Sequence, residues 1–314
     1  MSADGSTPGG AATADGVPEH VRTAWRRHGI APGAARFLGS GLDNVAVVVD
    51  GLVVRVAAQE DPGRRARAVA REAWLLRALG GVLPLPVPVP AVVAPQDGLL
   101  AYPLLPGRPA LELLGAVDAA AVGAALGAFL SVLHRRPVAR FAPRLGTDRT
   151  PAADALQEAR ALHPRLVGNL PAEHRGPVAA FLAEAPPAAP VHVVAHADLG
   201  AEHVLVDPGT GRVTGVVDWT DATVTDPARD LGLLLRDLGP AALEAALLHY
   251  GGGDHRALRE RACFYARCGA LEDLAYGLAT GRQSYADKSL AALPWLFPAH
   301  GTRGGVRRAP SDGR

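Results

Sequence analysis

Short runs of β-branched and other apolar residues, separated by turn residues, dominate the first third of the chain. The runs ARFLGSG, VAVVVD and LVVRVAA predict three strands, and Asp50 and Gly51 between the last two favour a tight hairpin. Apolar residues at helical spacing predict helices at 17–29 and 61–81, the second with Asp61 as its N-cap. The pattern therefore indicates a small unit rich in β-structure.

The pattern becomes helical after a last strand predicted at 98–107. Apolar residues at helical spacing occupy 118–137, two segments within 151–185, and most of the chain from 226 to about 293. Three short strands, VHVVAH, VLVD and VTGVVDW, interrupt these helices. The second part of the chain is therefore predicted to be mainly helical, with a small β-element inside it.

These elements together predict an α+β protein with two lobes. We expect a small β-rich lobe at 17–103 and a larger, mainly helical lobe at 104–299, joined by a linker near 103–107. The Ala- and Gly-rich start at 1–16 and the end at 300–314 are predicted to be disordered.

The composition indicates a globular protein without an electrostatic preference for polyanions. Hydrophobic residues make up 48% of the 314 positions, and 32 basic against 31 acidic residues give a net charge of +1. We therefore expect neither nucleic acid nor a membrane as a partner. The start lacks the pattern of a signal peptide, and Cys263 and Cys268 are expected to be free thiols, so a cytoplasmic location is predicted. Nothing in the sequence indicates an oligomeric state.

The stretch VVAHADLGAEHVLVD, followed by VVDWTDATVTDPARD, concentrates residues that can bind metal. A hairpin would bring Asp198, His203 and Asp218 together at its strand ends. Carboxylates suit a hard cation such as Mg²⁺. Because His196 points to the same side as Asp198, the spacing also allows zinc and a metal-dependent hydrolase. Loop-capping acids and core histidines without any ion are a further alternative.

This stretch resembles the catalytic loop and metal-binding segment of the aminoglycoside/macrolide phosphotransferase family. Members are small-molecule kinases with a protein-kinase-like fold, and their usual loop has His-Gly-Asp with an asparagine five residues after the aspartate. Here the loop begins with His196, Ala197 and Asp198, and His203 stands in the asparagine's place. The macrolide phosphotransferases are similar in carrying histidine there. The resemblance spans about residues 35–295 and implies nucleotide binding in the small lobe and an acceptor site in the large one.

The resemblance also implies a role for each polar residue of the stretch. Asp198 would accept a hydrogen bond from the attacking hydroxyl, while His203 and Asp218 would hold Mg²⁺ on the nucleotide phosphates. His203 must be neutral to bind the ion. His196 is expected to brace the loop, and Asp226 to cap a helix.

A kinase of this fold also needs a cation on its third strand, paired with a helix carboxylate. Arg55 and Glu72 fit these positions, although a surface arginine and an ordinary helical glutamate are the alternative. In the loop GSGLDN, Ser40 is expected to reach the phosphates. The carbonyl of Pro103 and the amide of Leu105 would hold the purine. A P-loop kinase is excluded because the chain has no Walker lysine motif.

The acceptor is expected to bind against the C-terminal helices. Their segment at 263–297 mixes acids and cations with apolar surface, which suits a large substrate with one amine better than a polycation. Asp221, Glu272 and Asp273 are the predicted acceptor ligands. This mixed surface, together with His203 and the run from Asp218 to Asp226, favours a macrolide, inactivated by phosphorylation of the hydroxyl beside its dimethylamino group, with ATP or GTP as donor. Aminoglycosides, peptide antibiotics and metabolites such as choline or homoserine are the alternatives.

Overall fold

The computed structural model describes residues 19–29, 36–40, 44–189, 191–251 and 254–298. Both predicted tails, 1–16 and 300–314, lie outside the described residues. Residues 41–43 of the predicted phosphate loop and the side chain of Ser40 also lie outside them.

The N-terminal lobe is built on a five-stranded antiparallel sheet with the strand order β1-β2-β3-β5-β4. Its elements are α1 (Glu19–Arg27), β1 (Arg36–Ser40), β2 (Asn44–Val49), β3 (Leu52–Ala57), α2 (Pro62–Leu79), β4 (Val92–Ala94) and β5 (Leu99–Pro103). In β3, Val54 and Val56 pack with Trp25 of α1, while Val53 belongs to the core that includes α2. The alternation of side chains along a strand accounts for this division between the two faces.

The predicted hairpin and helix cap are both present in this lobe. Asp50 and Gly51 have φ angles of 49° and 76°, and positive φ at both central positions is typical of a type I′ turn. The Asp61 carboxylate accepts a hydrogen bond of 2.6 Å from the amide of Arg64, and Pro62 begins α2. Local sequence chemistry therefore determines where β3 and α2 begin.

The C-terminal lobe is mainly helical and contains two small sheets. The helices are α3 (Ala119–Leu133), α4 (Val138–Leu145), α5 (Pro151–Leu166), α6 (Ala172–Leu182), α7 (Ala228–Leu238), α8 (Pro240–His249), α9 (His255–Thr280) and α10 (Gln283–Leu296). The strands are β6 (Arg108–Pro109), β7 (Val193–Ala195), β8 (Val204–Val206), β9 (Val213–Val216) and β10 (Thr223–Thr225). One sheet has the order β6-β8-β9, and the other pairs β10 with β7.

Two features of this lobe differ from the prediction. The helix predicted at 118–137 ends at Leu133, and a separate helix begins at Val138 after Pro137, which lacks the amide hydrogen a continuing helix would need. Strand β10 was not predicted, because it lies in the polar stretch WTDATVTDP and lacks the apolar run that indicated β7 and β8. It pairs with β7 immediately before the catalytic loop, so it helps to position that loop.

Helices α3 and α8 approach each other closely through two glycines. A Cβ atom added at Gly123 or Gly127 would overlap the backbone of Ala242 or Ala246. Within the described part of the chain, no helix is both long and apolar enough to cross a membrane.

Candidate active site

The predicted catalytic loop connects β7 to β8, and Asp230 of α7 binds its backbone. The two Asp230 carboxylate oxygens accept hydrogen bonds of 3.0 Å and 2.7 Å from the amides of His196 and Ala197. Ala197 has a φ of 67°, a conformation that costs free energy for a residue with a Cβ atom. The buried His134 lies 3.0 Å from the same carboxylate. These contacts hold the loop in a strained shape.

His196 makes the contacts of a side chain that supports the loop. It is fully buried, its Nε2 lies 3.0 Å from the carbonyl oxygen of Val217, and its ring lies 4.6 Å from that of Trp219. Burial lowers the pKa of His196, so the ring is neutral at neutral pH. The Nδ1 atom of His196 accepts a hydrogen bond of 3.3 Å from the amide of Asp198, so both ring nitrogens are engaged within the protein and neither faces a metal.

Asp198 and His203 face each other across the catalytic loop. The Nδ1 of His203 lies 2.7 Å from the Asp198 carbonyl oxygen, so Nδ1 carries the proton and donates to it. Nε2 is thereby directed towards Asp218, whose nearest carboxylate oxygen is 3.9 Å away. Burial acts to lower the pKa of His203, but the carboxylates of Asp198, Glu202 and Asp218 outweigh it and raise this pKa.

Arg55 connects the N-terminal lobe to the predicted metal-binding segment. One guanidinium nitrogen donates to Glu72 at 2.6 Å, and another donates to Asp218 at 2.9 Å and to Thr220 at 3.0 Å. Burial acts to raise the pKa of Asp218, but Arg55 and His203 hold it well below its ordinary range. Arg55 is also buried, and its two acidic partners raise its pKa, so it remains charged.

Helix α2 contacts the same segment a second time. Arg71, next to Glu72, donates a hydrogen bond to the carbonyl oxygen of Ala222. Helix α2 is therefore fixed relative to the residues that follow Asp218.

Five charged residues form a cluster beneath the catalytic loop, and we call them the buried charge cluster: Glu202, Arg236, Asp237, Asp273 and Lys288. The Lys288 ammonium lies 3.0 Å from Glu202, 3.1 Å from Asp237 and 2.9 Å from Asp273. Arg236 contacts Asp237 at 2.6 Å and Asp273 at 3.0 Å. Asp237 in turn accepts a hydrogen bond of 2.8 Å from the amide of Ala201, so the cluster supports the loop directly.

A cleft of about 950 Å³ separates the two lobes and contains most of the predicted site residues. Its lining includes Arg55, Leu105, Asp198, His203, Asp218 and Asp221. Pro103 ends β5 at the edge of the cleft. The amide of Leu104 donates a hydrogen bond of 2.8 Å to the carbonyl oxygen of Gly51. The structure thus brings the predicted base, metal ligands and phosphate cation to one end of a single cleft.

Glu272 and Asp273, two of the predicted acceptor ligands, do not line the cleft. Asp273 is engaged by Arg236 and Lys288. Burial and the nearby Glu158 carboxylate raise the pKa of Glu272 to about 7, so it is a poor partner for an ammonium group. Asp226, the predicted cap, accepts from the amide of Ala228 at 3.0 Å.

Sequence reasoning missed the residues that support the loop, Asp230, Asp237, Glu202 and Lys288. Asp230 and Asp237 are two turns apart on α7, and each binds loop amides more than 30 residues earlier in the chain. An acidic residue on the buried face of a helix is the one signal that could have indicated them, since buried carboxylates need partners.

The fold and the site define a two-lobed protein of the protein-kinase-like class, with a cleft between a β-sheet lobe and a helical lobe. The chain belongs to the phosphotransferase enzyme family, whose model matches residues 34–265. The predicted family and fold class are therefore confirmed.

Curated relatives match only part of the chain. An aminoglycoside 3'-phosphotransferase of Streptomyces fradiae is 43% identical over 81 residues, which is 23% of this chain and 30% of that enzyme. Thus the chain spans less than a third of that relative's length.

Solved structures match over nearly the whole chain. The apoenzyme of macrolide 2'-phosphotransferase MphH from Brachybacterium faecium has a TM-score of 0.58 and 28% identity, covering 88% of this chain and 98% of that one. The GDP complex of wild-type aminoglycoside 2'-phosphotransferase-IIIa has a TM-score of 0.67 and 20% identity, covering 88% and 97%. At this identity, the second match supports the fold alone.

Proposed function

We propose that the protein is a Mg²⁺-dependent kinase that transfers the γ-phosphate of ATP or GTP to a hydroxyl of an antibiotic, and that the antibiotic is a macrolide. The observation that carries the proposal is the chain of contacts from Glu72 through Arg55 to Asp218, beside His203 and Asp198. In the proposed mechanism, Arg55 is the phosphate-binding cation, His203 and Asp218 are the metal ligands, and Asp198 is the base.

The base in this proposal is Asp198. It lies at the cleft end of a loop whose backbone is fixed by Asp230 and Asp237, so its carboxylate is held in position. It accepts the hydrogen bond of the acceptor hydroxyl and orients the oxygen towards the γ-phosphate.

The residues that would hold Mg²⁺ are His203 and Asp218. The Nε2 of His203 and the nearest oxygen of Asp218 are 3.9 Å apart, so both can face one ion, and phosphate oxygens and water would complete its coordination. The ion would neutralise charge on the transferring phosphoryl group. Arg55 would contact the phosphates while Glu72 keeps its guanidinium in place.

The purine in this proposal binds at the segment after β5. Because the amide of Leu104 donates its hydrogen bond to Gly51, we assign the carbonyl of Pro103 and the amide of Leu105 to the purine. Ser40 keeps its proposed role near the phosphates. The structure of aminoglycoside 2'-phosphotransferase-IIIa is a GDP complex, which agrees with a guanine nucleotide as one donor.

The charge of the cleft favours a macrolide over a polycation. Four arginines line it beside five acids, so the cleft lacks the large acidic excess that would suit a substrate with many amines. Asp221 remains the proposed acceptor ligand, because it lines the cleft three residues after Asp218. The 28% identity to macrolide 2'-phosphotransferase MphH agrees with this choice. An aminoglycoside is the second candidate, supported by the partial match to the 3'-phosphotransferase of Streptomyces fradiae.

A panel of acceptors tests the proposal. Purified protein with Mg²⁺ and either ATP or GTP is given erythromycin, kanamycin, viomycin, choline or homoserine, and nucleotide consumption is measured. Phosphorylation of erythromycin supports the macrolide assignment, whereas turnover of kanamycin alone supports the aminoglycoside. Activity that is absent with Mg²⁺ and appears only when zinc is added would contradict a Mg²⁺-dependent kinase and support a hydrolase.

A further inference from the structure

Glu202 is a residue of the cleft to which the proposed mechanism gives no role. It lies on the catalytic loop and lines the cleft. One carboxylate oxygen of Glu202, one of Asp198 and a ring nitrogen of His203 all lie within 4.8 Å of one another. The side chain of Glu202 is 14% exposed, so it reaches the cleft from a largely buried position.

The buried charge cluster holds Glu202 in this position. Lys288 contacts one carboxylate oxygen at 3.0 Å, and Arg236 lies 3.9 Å from the other. Two cations in the cluster face three carboxylates, so the cluster keeps one negative charge without a partner inside it.

Gly200 leaves the space that this carboxylate fills. A Cβ atom added there would lie 2.6 Å from one Glu202 oxygen and 2.7 Å from the other. Because Lys288 restrains that carboxylate, a larger residue at position 200 would displace it from beside Asp198. The loop is therefore shaped around the position of Glu202.

We propose that Glu202 binds the ammonium group of an acceptor whose amine and reacting hydroxyl lie on adjacent carbons, while Asp198 binds the hydroxyl. The assignment deepens the proposed function and rests on it. Two carboxylates at this spacing can each make a hydrogen bond of about 2.7–3.0 Å to groups on neighbouring carbons. An acceptor without the amine leaves the one excess negative charge of the cluster unbalanced, so the site selects a vicinal amino alcohol and not a simple alcohol.

The test compares erythromycin with erythromycin N-oxide, which has nearly the same shape but no ammonium proton. The ratio of kcat/KM for the two acceptors is measured in the wild-type protein and in Glu202→Gln. We expect the wild type to prefer erythromycin, and the substitution to reduce this ratio about 10-fold to 100-fold. The nucleotide KM is measured in parallel and should change far less.

Two further variants separate binding from a structural role. Glu112→Gln removes another acid that lines the cleft, one paired with Arg108 at 2.8 Å, and it should leave the ratio unchanged. Gly200→Ala keeps the charge of Glu202 but displaces it, and it should also reduce the ratio. Equal slowing of both acceptors in Glu202→Gln, or a wild type without preference, overturns the inference.

Failure of the proposed function has a different result. If erythromycin is not phosphorylated, the macrolide assignment fails, and the same ratio is measured with kanamycin A and its 3″-deamino-3″-hydroxy analogue. A ratio that Glu202→Gln reduces still supports the inference, and an unchanged ratio overturns it. No turnover of either antibiotic overturns both proposals.

Discussion

Arg55 contacts Glu72 from one guanidinium nitrogen and Asp218 and Thr220 from another. One side chain therefore spans the lobes. The sequence could indicate Arg55, Glu72, Asp198, His203 and Asp218, because each has a fixed place in a local motif. It could not indicate that Arg55 binds Asp218, since 163 residues separate them and no spacing rule connects such positions.

Replacement of Arg55 distinguishes charge from shape at this position. Arg55→Ala should raise the nucleotide KM about 10-fold to 100-fold, the range for losing a hydrogen bond to a charged group. Arg55→Lys should recover only part of this, because a single ammonium cannot repeat contacts made by two separate nitrogens. Steady-state kinetics with varied nucleotide and varied acceptor measure both constants. An unchanged nucleotide KM in the alanine variant would place the phosphate cation elsewhere.

Asp198→Asn isolates the proposed base. The amide keeps the size of the side chain but cannot act as a carboxylate, so turnover should fall by about 10²–10⁴. Nucleotide affinity, measured by calorimetry, should stay near the wild-type value because the base contacts the acceptor. Loss of nucleotide binding together with turnover would contradict the assignment of Asp198.

At the scale of elements, α7 supports the catalytic loop at two points on its buried face, through Asp230 and Asp237. The spacing of apolar residues in α7 predicted a helix, but this spacing does not indicate which loop amides bind the two carboxylates. The positions of the strands before and after the loop were predicted, whereas β10 was not. The sequence therefore indicated the local elements, and long-range pairing determined how they hold the site.

Asp230→Asn should weaken the support of the loop. The substitution removes the negative charge that the hydrogen bonds with His134 and two amides stabilise. The free energy of unfolding at pH 7 should therefore fall by about 1–3 kcal/mol. Although burial acts against ionisation, His134 and the amide of Ala197 hold the pKa of Asp230 below its ordinary value. The stabilisation is therefore complete above about pH 3.9 and declines as the pH falls through the lower folded-state pKa.

Denaturant titrations between pH 3 and 7 measure this effect. The difference between the wild type and Asp230→Asn should shrink at the acidic end of the range. Asp118→Asn, which changes the exposed cap of α3, is the control and should alter stability much less. A difference that grows on acidification would contradict the role given to Asp230.

The contact of α3 with α8 depends on glycine. Gly127→Ala would place a methyl group against the backbone of Ala246, so we expect the free energy of unfolding to fall by about 1–3 kcal/mol. Gly168→Ala is the matched control, because no atom lies within 4 Å of the added Cβ. Thermal unfolding of both variants compares them, and equal stability would show that the two helices can separate without cost.

At the scale of the whole molecule, the two lobes meet through polar contacts beside the cleft and through apolar packing, since the rings of Trp74 on α2 and Phe141 on α4 lie 5.3 Å apart. The two-lobed architecture was predicted from the change from short strands to helices, and the solved structures confirm it. Glu272 and Asp273 were predicted to bind the acceptor because of their charge, and they lie outside the lining of the cleft. Composition shows that acids are present on α9, but only packing shows that one faces α5 and the other faces Lys288.

Lys288 is the only lysine of the 314 residues, and it lies buried on α10 within the buried charge cluster. A protease specific for lysine therefore has one target bond in the whole chain, and that bond is inside a packed helix. Cleavage requires α10 to open, so its rate reports the population of the open form when opening is fast. We expect the native protein to resist digestion until denaturant unfolds it, and gels should then show the two fragments of a single cut. Rapid cleavage in native buffer would instead show that α10 opens by itself, and with it the support of Glu202.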